Sequence, residues 1–278
     1  MRAILTDVTK CIGCAKCIEG CKKVNDLPND YPRQWQKMDG LSATNWTSLV
    51  QKDDIYIRKQ CRHCVEPACE AVCPVGALEK TSTGAVIYHK DKCLGCRYCM
   101  MACPYGIPRY DWDSAVPYVE KCIMCYDNIK NGKIKQPGCT SDCPTGATIY
   151  GEREELLKIA KKRIASEPNK YLNHIYGEEE VGGSNVIYLT SKDYPLEFLN
   201  YYNHRQGKKD SNYGLPDIRK PIPNTIKTAM QSVPFAFLGM GTIMSGAYWI
   251  MKRRQKLATS QSSENNNSKE TPEDLKND

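Results

Sequence analysis

The sequence predicts an α+β chain, in which small cysteine-lined modules are followed by a single C-terminal transmembrane helix. Three observations carry that expectation. All 16 cysteines fall into four groups of four. Short β-rich runs, Gly84-Ala85-Val86-Ile87-Tyr88 and Asn185 to Thr190, lie between and after the groups. Ala229 to Met251 is a continuous apolar stretch long enough to span a bilayer.

The cysteine groups come first, because their spacing states their chemistry. Cys11, Cys14, Cys17 and Cys21 follow C-x2-C-x2-C-x3-C. Cys93, Cys96, Cys99 and Cys103 repeat that run and add Pro104. Cys61, Cys64, Cys69 and Cys73 lengthen the middle gap and end in Cys73-Pro74. Cys122, Cys125, Cys139 and Cys143 carry a long insertion and end in Cys143-Pro144. The ferredoxin run that holds [4Fe-4S] clusters is C-x2-C-x2-C-x3-C-P, so three groups end as that run does and the first, Cys21-Lys22, does not. No cysteine is left over. Three thiolates separated by two residues share a tight loop whose backbone N–H groups can point at sulfur. The fourth follows a turn later and, in two-cluster ferredoxins, ligates the other cluster of the pair. Gly13 and Gly95 sit inside the first loop of two groups, where backbone must approach an inorganic core closely. A proline after the last cysteine keeps the segment from continuing as helix.

Paired C-x2-C units also build zinc ribbons, but tetrahedral zinc has no need of the recurring third and fourth cysteines. A disulfide framework would not repeat one ligand pattern four times. The internal repeat therefore predicts two ferredoxin-like two-cluster modules with insertions, arranged as a wire of four cubane clusters.

Composition agrees with a core built around clusters. Hydrophobic residues are 41%, a figure that includes the 16 cysteines, and there are only 3 Phe against 17 Tyr. The apolar core of the soluble part is expected to be thin, and removal of iron is expected to unfold it. The formal charge of +7 counts cysteines as neutral. Ligating thiols are deprotonated, so the excess of Lys and Arg is largely compensated internally and does not imply nucleic-acid binding. Lys16, Lys22, Lys23, Arg62, Lys92 and Arg97 lie in the ligand loops, where they could raise cluster potentials; each taken singly reads as a solvated surface charge.

Along the chain, Ile12 to Lys22 and Ile123 to Asn131 read as short helices leading away from their ligands. Leu27 to Gln60 is an insertion holding Trp35 and Trp46, which packs on the cluster core or on a partner. The insert Tyr126 to Gly138 is rich in Lys and Asn. Glu152 to Ser166 places Leu156, Leu157, Ile159, Ala160 and Ile164 at helical spacing, acids first and bases last, with Pro168 beyond: a surface helix. Asn185 to Thr190 reads as a strand.

The apolar stretch tolerates Pro234, Gly239, Gly241 and Gly246 as membrane helices do, and its small residues suit packing on other such helices. Tyr248 and Trp249 form an aromatic edge, followed by Lys252, Arg253, Arg254 and Lys256, which places the C-terminus on the cytoplasmic side. The cluster domain is then expected on the outer face. Met1 to Asp7 has no signal-peptide pattern, so that domain is expected to be exported already folded, with a signal-bearing partner. The tail from about Leu257 is Ser/Asn/Glu/Lys-rich and is expected to stay unfolded. The expected layout is a four-cluster domain at 1–200, a linker at 201–224, a transmembrane helix at 225–252 and a polar tail at 253–278.

The segments DKCLGCRYCMMACPYGIPRYDW, CPTGATIYGEREELL and YLNHIYGEEEVGGSNVIYL, with the four groups and the tail helix, resemble the four-cluster electron-transfer subunits of membrane-bound oxidoreductases. These include formate dehydrogenase beta subunits, the iron–sulfur subunits of dimethyl sulfoxide and polysulfide reductases, and the membrane-anchored iron–sulfur subunit of hydrogenase-2-type nickel–iron hydrogenases. The resemblance covers about residues 5 to 200. It implies that group one pairs with group four and group two with group three, each lending its last cysteine to the other. The implied ligand sets are Cys11/Cys14/Cys17/Cys143, Cys122/Cys125/Cys139/Cys21, Cys61/Cys64/Cys69/Cys103 and Cys93/Cys96/Cys99/Cys73.

The resemblance implies a subunit without chemistry of its own. It would pass electrons between a catalytic subunit, a nickel–iron hydrogenase or a molybdopterin oxidoreductase, and an integral membrane quinone-reactive subunit. The sequence holds no nucleotide fingerprint, P-loop or catalytic dyad. His63, His89, His174 and His204 are scattered and absent from the apolar stretch, so that helix reads as an anchor; each reads as a surface or outer-shell group. A formate dehydrogenase beta-type or oxoanion/polysulfide reductase subunit, a cluster-dependent reductase and a zinc-stabilised membrane scaffold are the alternatives.

Overall fold

Proline decides where the short helices stop. In a computed structural model, which describes residues 1–29, 40–112, 118–194 and 224–267, the first three cysteine groups contribute one short helix each and the fourth contributes two. These are α1 (Lys16–Val24), α2 (Ala68–Ala71), α3 (Tyr98–Ala102) and, in the fourth group, α4 (Tyr126–Lys130) before the insert and α5 (Gly138–Ser141) after it. α2, α3 and α5 end just short of Cys73-Pro74, Cys103-Pro104 and Cys143-Pro144, because the residue before proline is pushed out of the helical region. Each Cys-Pro then opens a turn closed by the N–H of Gly76, Gly106 or Gly146 on the cysteine carbonyl, at 3.4, 3.1 and 3.3 Å. α1 has Lys22 in place of proline and runs on through Cys21 to Val24.

Two pairs of helices pack together, α1 on α5 and α2 on α3. The first crossing is backbone on backbone: a Cβ on Gly20 would stand 2.5 Å from the Gly138 carbonyl oxygen. Two-stranded ribbons lie beside the second and third groups, β4 (Leu78–Lys80) with β5 (Val86–Tyr88) and β6 (Arg109–Tyr110) with β7 (Val119–Glu120), both antiparallel.

β1 (Arg2–Asp7) is the middle strand of a sheet. It pairs antiparallel with β8 (Thr148–Glu152) and parallel with β9 (Val186–Leu189). Its side chains alternate between two cores, as strand geometry requires. Ile4 joins Val186 and Tyr188 in the core that contains Cys17, Cys61, Cys122 and Cys139. Ala3 and Leu5 join Ile187 and Leu189 in a second core, under α6 (Arg153–Ser166), to which Leu156, Leu157 and Ala160 contribute. α6 starts and stops close to where its pattern predicts, with Glu154 and Glu155 in its first turn and Arg163 in its last, favouring the helix dipole at both ends. Arg163 pairs at 2.9 Å with Asp7, a fully buried carboxylate that also accepts the Tyr171 hydroxyl at 2.9 Å. A third small core holds Cys73 and Cys99 with Ala77, Leu78, Tyr110 and Val119.

The insertion packs inward. β2 (Thr47–Lys52) and β3 (Ile55–Gln60) form an antiparallel hairpin whose two-residue loop starts at Asp53, φ +51°. Leu49, Val50 and Ile57 are buried with Ala15, Cys17 and Ile18 of the first group, and Trp46 packs against the same core. Trp35, the linker 201–223, His204 and the tail residues 268–278 lie outside the described residues.

α7 (Asn224–Asn267) contains Ile226–Lys256, a 31-residue stretch long and apolar enough to cross a membrane. The helix does not stop at the basic cluster as expected. It continues to Asn267, so the start of the polar tail is helical rather than unfolded. Gln255, Lys256, Leu257 and Ala258 are good helix formers, and they propagate a helix whose nucleus the apolar stretch already supplies.

Candidate cluster-binding sites

The repeat is written in the backbone as well as in the cysteines. The residue before the second cysteine is left-handed in all four groups: Gly13 (φ +72°), His63 (+48°), Gly95 (+70°) and Met124 (+58°). Glycine fills two of these positions without strain. A histidine and a methionine hold the same turn in the other two, so the loop geometry and not the residue type is what recurs. This turn aims backbone N–H groups at sulfur. Gly95 and Met124 donate to Cys93 and Cys122 Sγ, each at 3.4 Å, and Ala77 donates to Cys73 at 3.2 Å.

The fold gathers cysteines from distant groups. Cys11 lies within electrostatic reach of Cys143 and Cys14, and Cys17 of Cys139, Cys11 and Cys14. Cys21, from the first group, is surrounded by Cys122, Cys139 and Cys125 of the fourth. Cys64 and Cys69 neighbour Cys103 and Cys61, and Cys99 neighbours Cys73, Cys96 and Cys93. Electrostatic reach also crosses between gatherings, from Cys17 to Cys139 and from Cys61 to Cys122. The gathering at Cys11 thus adjoins that at Cys122, which adjoins that at Cys61, and the packed helices α2 and α3 join the last to that at Cys73. All 16 thiols are free of disulfides.

Two gatherings enclose a cavity. Cys11, Cys14, Cys17 and Cys143 line one, with Thr6, Arg58, Thr145 and Thr148 in its wall. Cys73, Cys93, Cys96 and Cys99 line another, whose wall is mainly apolar: Val75, Ala77, Leu78, Leu94 and Val119, with Tyr88 and Tyr110. Among the described residues no three His, Cys, Asp or Glu side chains converge closely enough for one metal ion. Four thiols around an open space fit the corners of a polynuclear cluster.

Electrostatics support the same fit. Burial pushes the Cys17 and Cys64 thiols up to about 12, and holds those of Cys21 and Cys69 well above their ordinary value. Burial also works against ionising Cys143, but the N–H groups of Thr148, Thr145 and Ala147 and the Thr145 hydroxyl outweigh it and hold that thiol below its ordinary value. Buried cations, Arg58 and Lys121, and the half-buried Lys80 stand nearby. Arg58 is 1% exposed and hydrogen-bonds only neutral groups, Gln60 and Thr6, with its Nε left without a partner. Lys121 rests on the carbonyls of Val86 and Cys122, and Lys80 on those of His63, Cys64 and Gly84. A buried cation without an anion costs several kcal/mol. Thiolate-bound clusters, which carry net negative charge, are the compensating partner this arrangement requires.

Two of the six loop cations depart from expectation. Lys16, Lys23, Lys92 and Arg97 are exposed, as solvated charges would be. Lys22 and Arg62 are only 2% and 1% exposed. Lys22 Nζ caps the carbonyls of Pro28 and Thr44, at 2.5 and 3.0 Å. Arg62 stacks 4.4 Å over the Tyr188 ring and donates to its hydroxyl. Arg97, beside Cys96, lies 4.4 Å over Trp112. His89 and His174 pair with Glu79 and Glu180 toward the surface. His63 is fully buried and faces Cys122. Asn25 donates to both Cys21 and Cys125, at 3.7 and 3.6 Å. Arg58, Lys80, Lys121 and Asn25 were not legible as site residues, because they lie outside the motifs and only the fold brings them to the sulfurs.

Comparison with known proteins points the same way. A family model described as a 4Fe-4S dicluster domain matches residues 53–153. The hydrogenase-2 operon protein HybA of Escherichia coli O157:H7 is 41% identical over 233 residues, covering 69% of this chain and 70% of that protein. The formate dehydrogenase-O iron-sulfur subunit of Escherichia coli K12 is 32% identical over 239 residues, covering 81% and 74%. A protein of Nitratidesulfovibrio vulgaris is 34% identical over 273 residues, covering 94% and 70%.

Proposed function

This chain belongs to the family of 4Fe-4S iron–sulfur subunits that includes HybA and the formate dehydrogenase iron-sulfur subunits, and from that premise we propose that it carries four [4Fe-4S] clusters and relays electrons from a catalytic subunit to a quinone-reactive membrane subunit, or the reverse. It is an iron–sulfur electron-transfer subunit of the hydrogenase and formate dehydrogenase type. The observation that carries the finer reading is the meeting of Cys143 with Cys11 and of Cys21 with Cys122, Cys125 and Cys139. Cysteines more than a hundred positions apart lie within electrostatic reach of one another, which supports the pairing of group one with group four.

The ligand sets of this reading are Cys11/Cys14/Cys17/Cys143, Cys21/Cys122/Cys125/Cys139, Cys61/Cys64/Cys69/Cys103 and Cys73/Cys93/Cys96/Cys99. When bound, such clusters supply reversible one-electron chemistry. The chain supplies the rest. Its turns direct N–H groups at sulfur, its buried cations balance the thiolates, and its strands keep water from the inner gatherings. Residues 1–200 are the cluster domain, with modules from groups one and four and from groups two and three; the packing of α1 on α5 and of α2 on α3 supports that division. The segment 225–252 anchors the domain, and Lys252, Arg253, Arg254 and Lys256 favour a cytoplasmic C-terminus with the domain outside. The chain itself is non-catalytic, and its partner is a nickel–iron hydrogenase or a molybdopterin oxidoreductase of formate or oxoanion type.

Metal analysis of the complex, purified anaerobically in mild detergent, tests this reading. About 16 iron atoms from this subunit are expected for four cubanes. Nickel with that iron marks a hydrogenase, and molybdenum or tungsten marks a formate dehydrogenase or oxoanion reductase. Zinc in place of iron would end the electron-transfer reading in favour of a membrane scaffold.

A further inference from the structure

Arg58 stands at the seam between two cysteine gatherings. It lies on β3, in the inserted hairpin outside every cysteine group, and its side chain forms part of the wall of the cavity lined by Cys11, Cys14, Cys17 and Cys143. Its charge also reaches the neighbouring gathering, acting on Cys21, Cys122, Cys125 and Cys139 as well as on Cys11 and Cys17. The guanidinium is fixed in place. Nη1 donates to Gln60 and Nη2 to Thr6 Oγ1 at 3.2 Å, while the Arg58 carbonyl accepts the Tyr188 hydroxyl at 2.8 Å. Among the described residues no carboxylate pairs with it, and its buried Nε has no hydrogen-bond partner.

Lys22, Lys80 and Lys121 differ in kind. Each rests its ammonium on carbonyl oxygens, and the charges of Lys80 and Lys121 also act on Cys61, Cys64 and Cys69. The cavity wall at Cys73, Cys93, Cys96 and Cys99 contains no cation at all among its described residues. One end of the series of gatherings therefore has a fixed internal positive charge, and the other an apolar wall. A guanidinium stays protonated in proteins even when buried, so this positive charge is permanent.

We propose that Arg58 is a shared electrostatic setting for two adjacent clusters, raising the reduction potentials of those bound by Cys11/Cys14/Cys17/Cys143 and by Cys21/Cys122/Cys125/Cys139 relative to the cluster bound by Cys73/Cys93/Cys96/Cys99. The inference rests on the four-cluster reading above. Reduction adds one electron to a cluster and one unit of negative charge to its site. A positive charge held in a low-dielectric seam stabilises that added charge, and does so at both sites it faces. Because the field comes from one residue, the two potentials are tied together and should move in the same direction when it is changed.

The test is potentiometric titration followed by electron paramagnetic resonance on the full complex. Signals are assigned with the variants Cys14→Ser, Cys125→Ser and Cys96→Ser. In Arg58→Gln, the two signals assigned through Cys14 and Cys125 are expected to shift to lower potential together, while the signal assigned through Cys96 keeps its position. Arg58→Lys, which keeps the charge, should return both toward the wild-type values. Unshifted potentials in an Arg58→Gln protein of full iron content would overturn the inference. If Arg58→Gln loses iron, loss confined to the Cys14 and Cys125 sites and restored in Arg58→Lys supports a local anion-balancing charge. Uniform loss from all four sites shows a scaffold residue instead and overturns it. Failure of the four-cluster reading itself is distinguished by the wild-type complex, which would then lack the iron and the signals altogether.

Discussion

The Nε2 atom of His63 lies 3.5 Å from the Sγ of Cys122, 59 positions away, across the seam between the second and fourth cysteine groups. The ring's tautomer is fixed by its other nitrogen. Val86 N–H donates to Nδ1 at 2.9 Å, so Nδ1 is an acceptor and the proton sits on Nε2, facing the sulfur. Burial, with Lys121 and Lys80 nearby, holds the imidazole pKa well below its ordinary value and keeps the ring neutral. The left-handed backbone at His63 is what turns the ring inward.

His63→Leu should therefore have two effects. It removes an N–H donor from the Cys122 sulfur, and the signal assigned to that site should move to lower potential. It also leaves the buried Val86 N–H without its acceptor, which costs about 1–3 kcal/mol of stability. Potentiometry reads the first and thermal denaturation the second. His63→Gln, which can offer both a donor and an acceptor, should recover part of each.

Gly20→Ala tests whether the first and fourth groups are locked together. The added methyl meets the backbone of Gly138, which cannot retreat without moving Cys139. Overpacking of this kind costs on the order of 1–3 kcal/mol. The expected result is lower stability and loss of iron from the sites that need Cys21 and Cys143, with the signal assigned through Cys96 retained. Ser141→Ala on the same helix pair, where the side chain is exposed, should be silent.

Glu180 gives a pH signature away from the sulfurs. Burial would raise its pKa, but the His174 hydrogen bond at 2.7 Å and the backbone N–H groups of Glu180 and Gly177, the latter at 2.7 Å, hold it below the ordinary carboxylate value. A depressed carboxyl contributes stability that is present above its unfolded pKa and disappears as pH falls through the folded one. Thermal melting temperature should thus drop on acidification below the usual carboxylate range. In Glu180→Gln part of that drop should vanish, with a loss of about 1–3 kcal/mol near neutral pH.

Removal of iron by a chelator under anaerobic conditions should loosen the chain unevenly. On the proposed ligand sets, the core holding Cys17, Cys61, Cys122 and Cys139, and the one holding Cys73 and Cys99, would lose their inorganic centres. The core under α6 contains no cysteine and is built from Leu5, Leu156, Leu157, Ile187 and Leu189 with their neighbours. Hydrogen exchange should show amides of α1 to α5 opening first and amides of the β1–β9 pair and α6 remaining protected longest. Simultaneous loss of all protection would mean that the clusters carry the whole fold.

Much of this architecture is readable from letters. Cysteine spacing locates the four groups, Cys-Pro marks where three helices end, and the periodicity of Leu156, Leu157 and Ala160 locates α6 with its buried face. The strand β9 and the apolar stretch of α7 are equally legible, because burial on both faces or in a bilayer demands continuous apolar residues. What escapes is partnership at a distance. Arg58, Lys22 and Arg62 look like surface charges, since a cation is buried only when something offsets its charge, and Cys17 and Cys139 for Arg58, Thr44 for Lys22 and Tyr188 for Arg62 lie far along the chain. His63 carries no signal beyond being next to Cys64. The insertion from Leu27 to Gln60 reads as packing on the core or on a partner; only the fold shows its Leu49, Val50 and Ile57 against Ala15 and Ile18. Helix α7 runs past its expected end because propensity alone does not mark a stop where no glycine or proline stands.

The central place of β1 sets a timetable for the living chain. Ile4 pairs with Tyr150 on one side and with Val186 on the other, so neither edge of the strand is covered when it leaves the ribosome. At about 5–20 residues per second, the wait for β9 is on the order of ten to forty seconds. Cys61 to Cys103 emerge early and within one short stretch, whereas Cys11, Cys14 and Cys17 remain uncovered until Cys143 and the strands around it arrive. A nascent chain thus offers its thiols to whatever assembles clusters in two instalments, the middle of the sequence before its start. During that interval Cys11 to Cys21 lack the partners that Cys143 and the rest of the fourth group bring, so that end of the series is completed last.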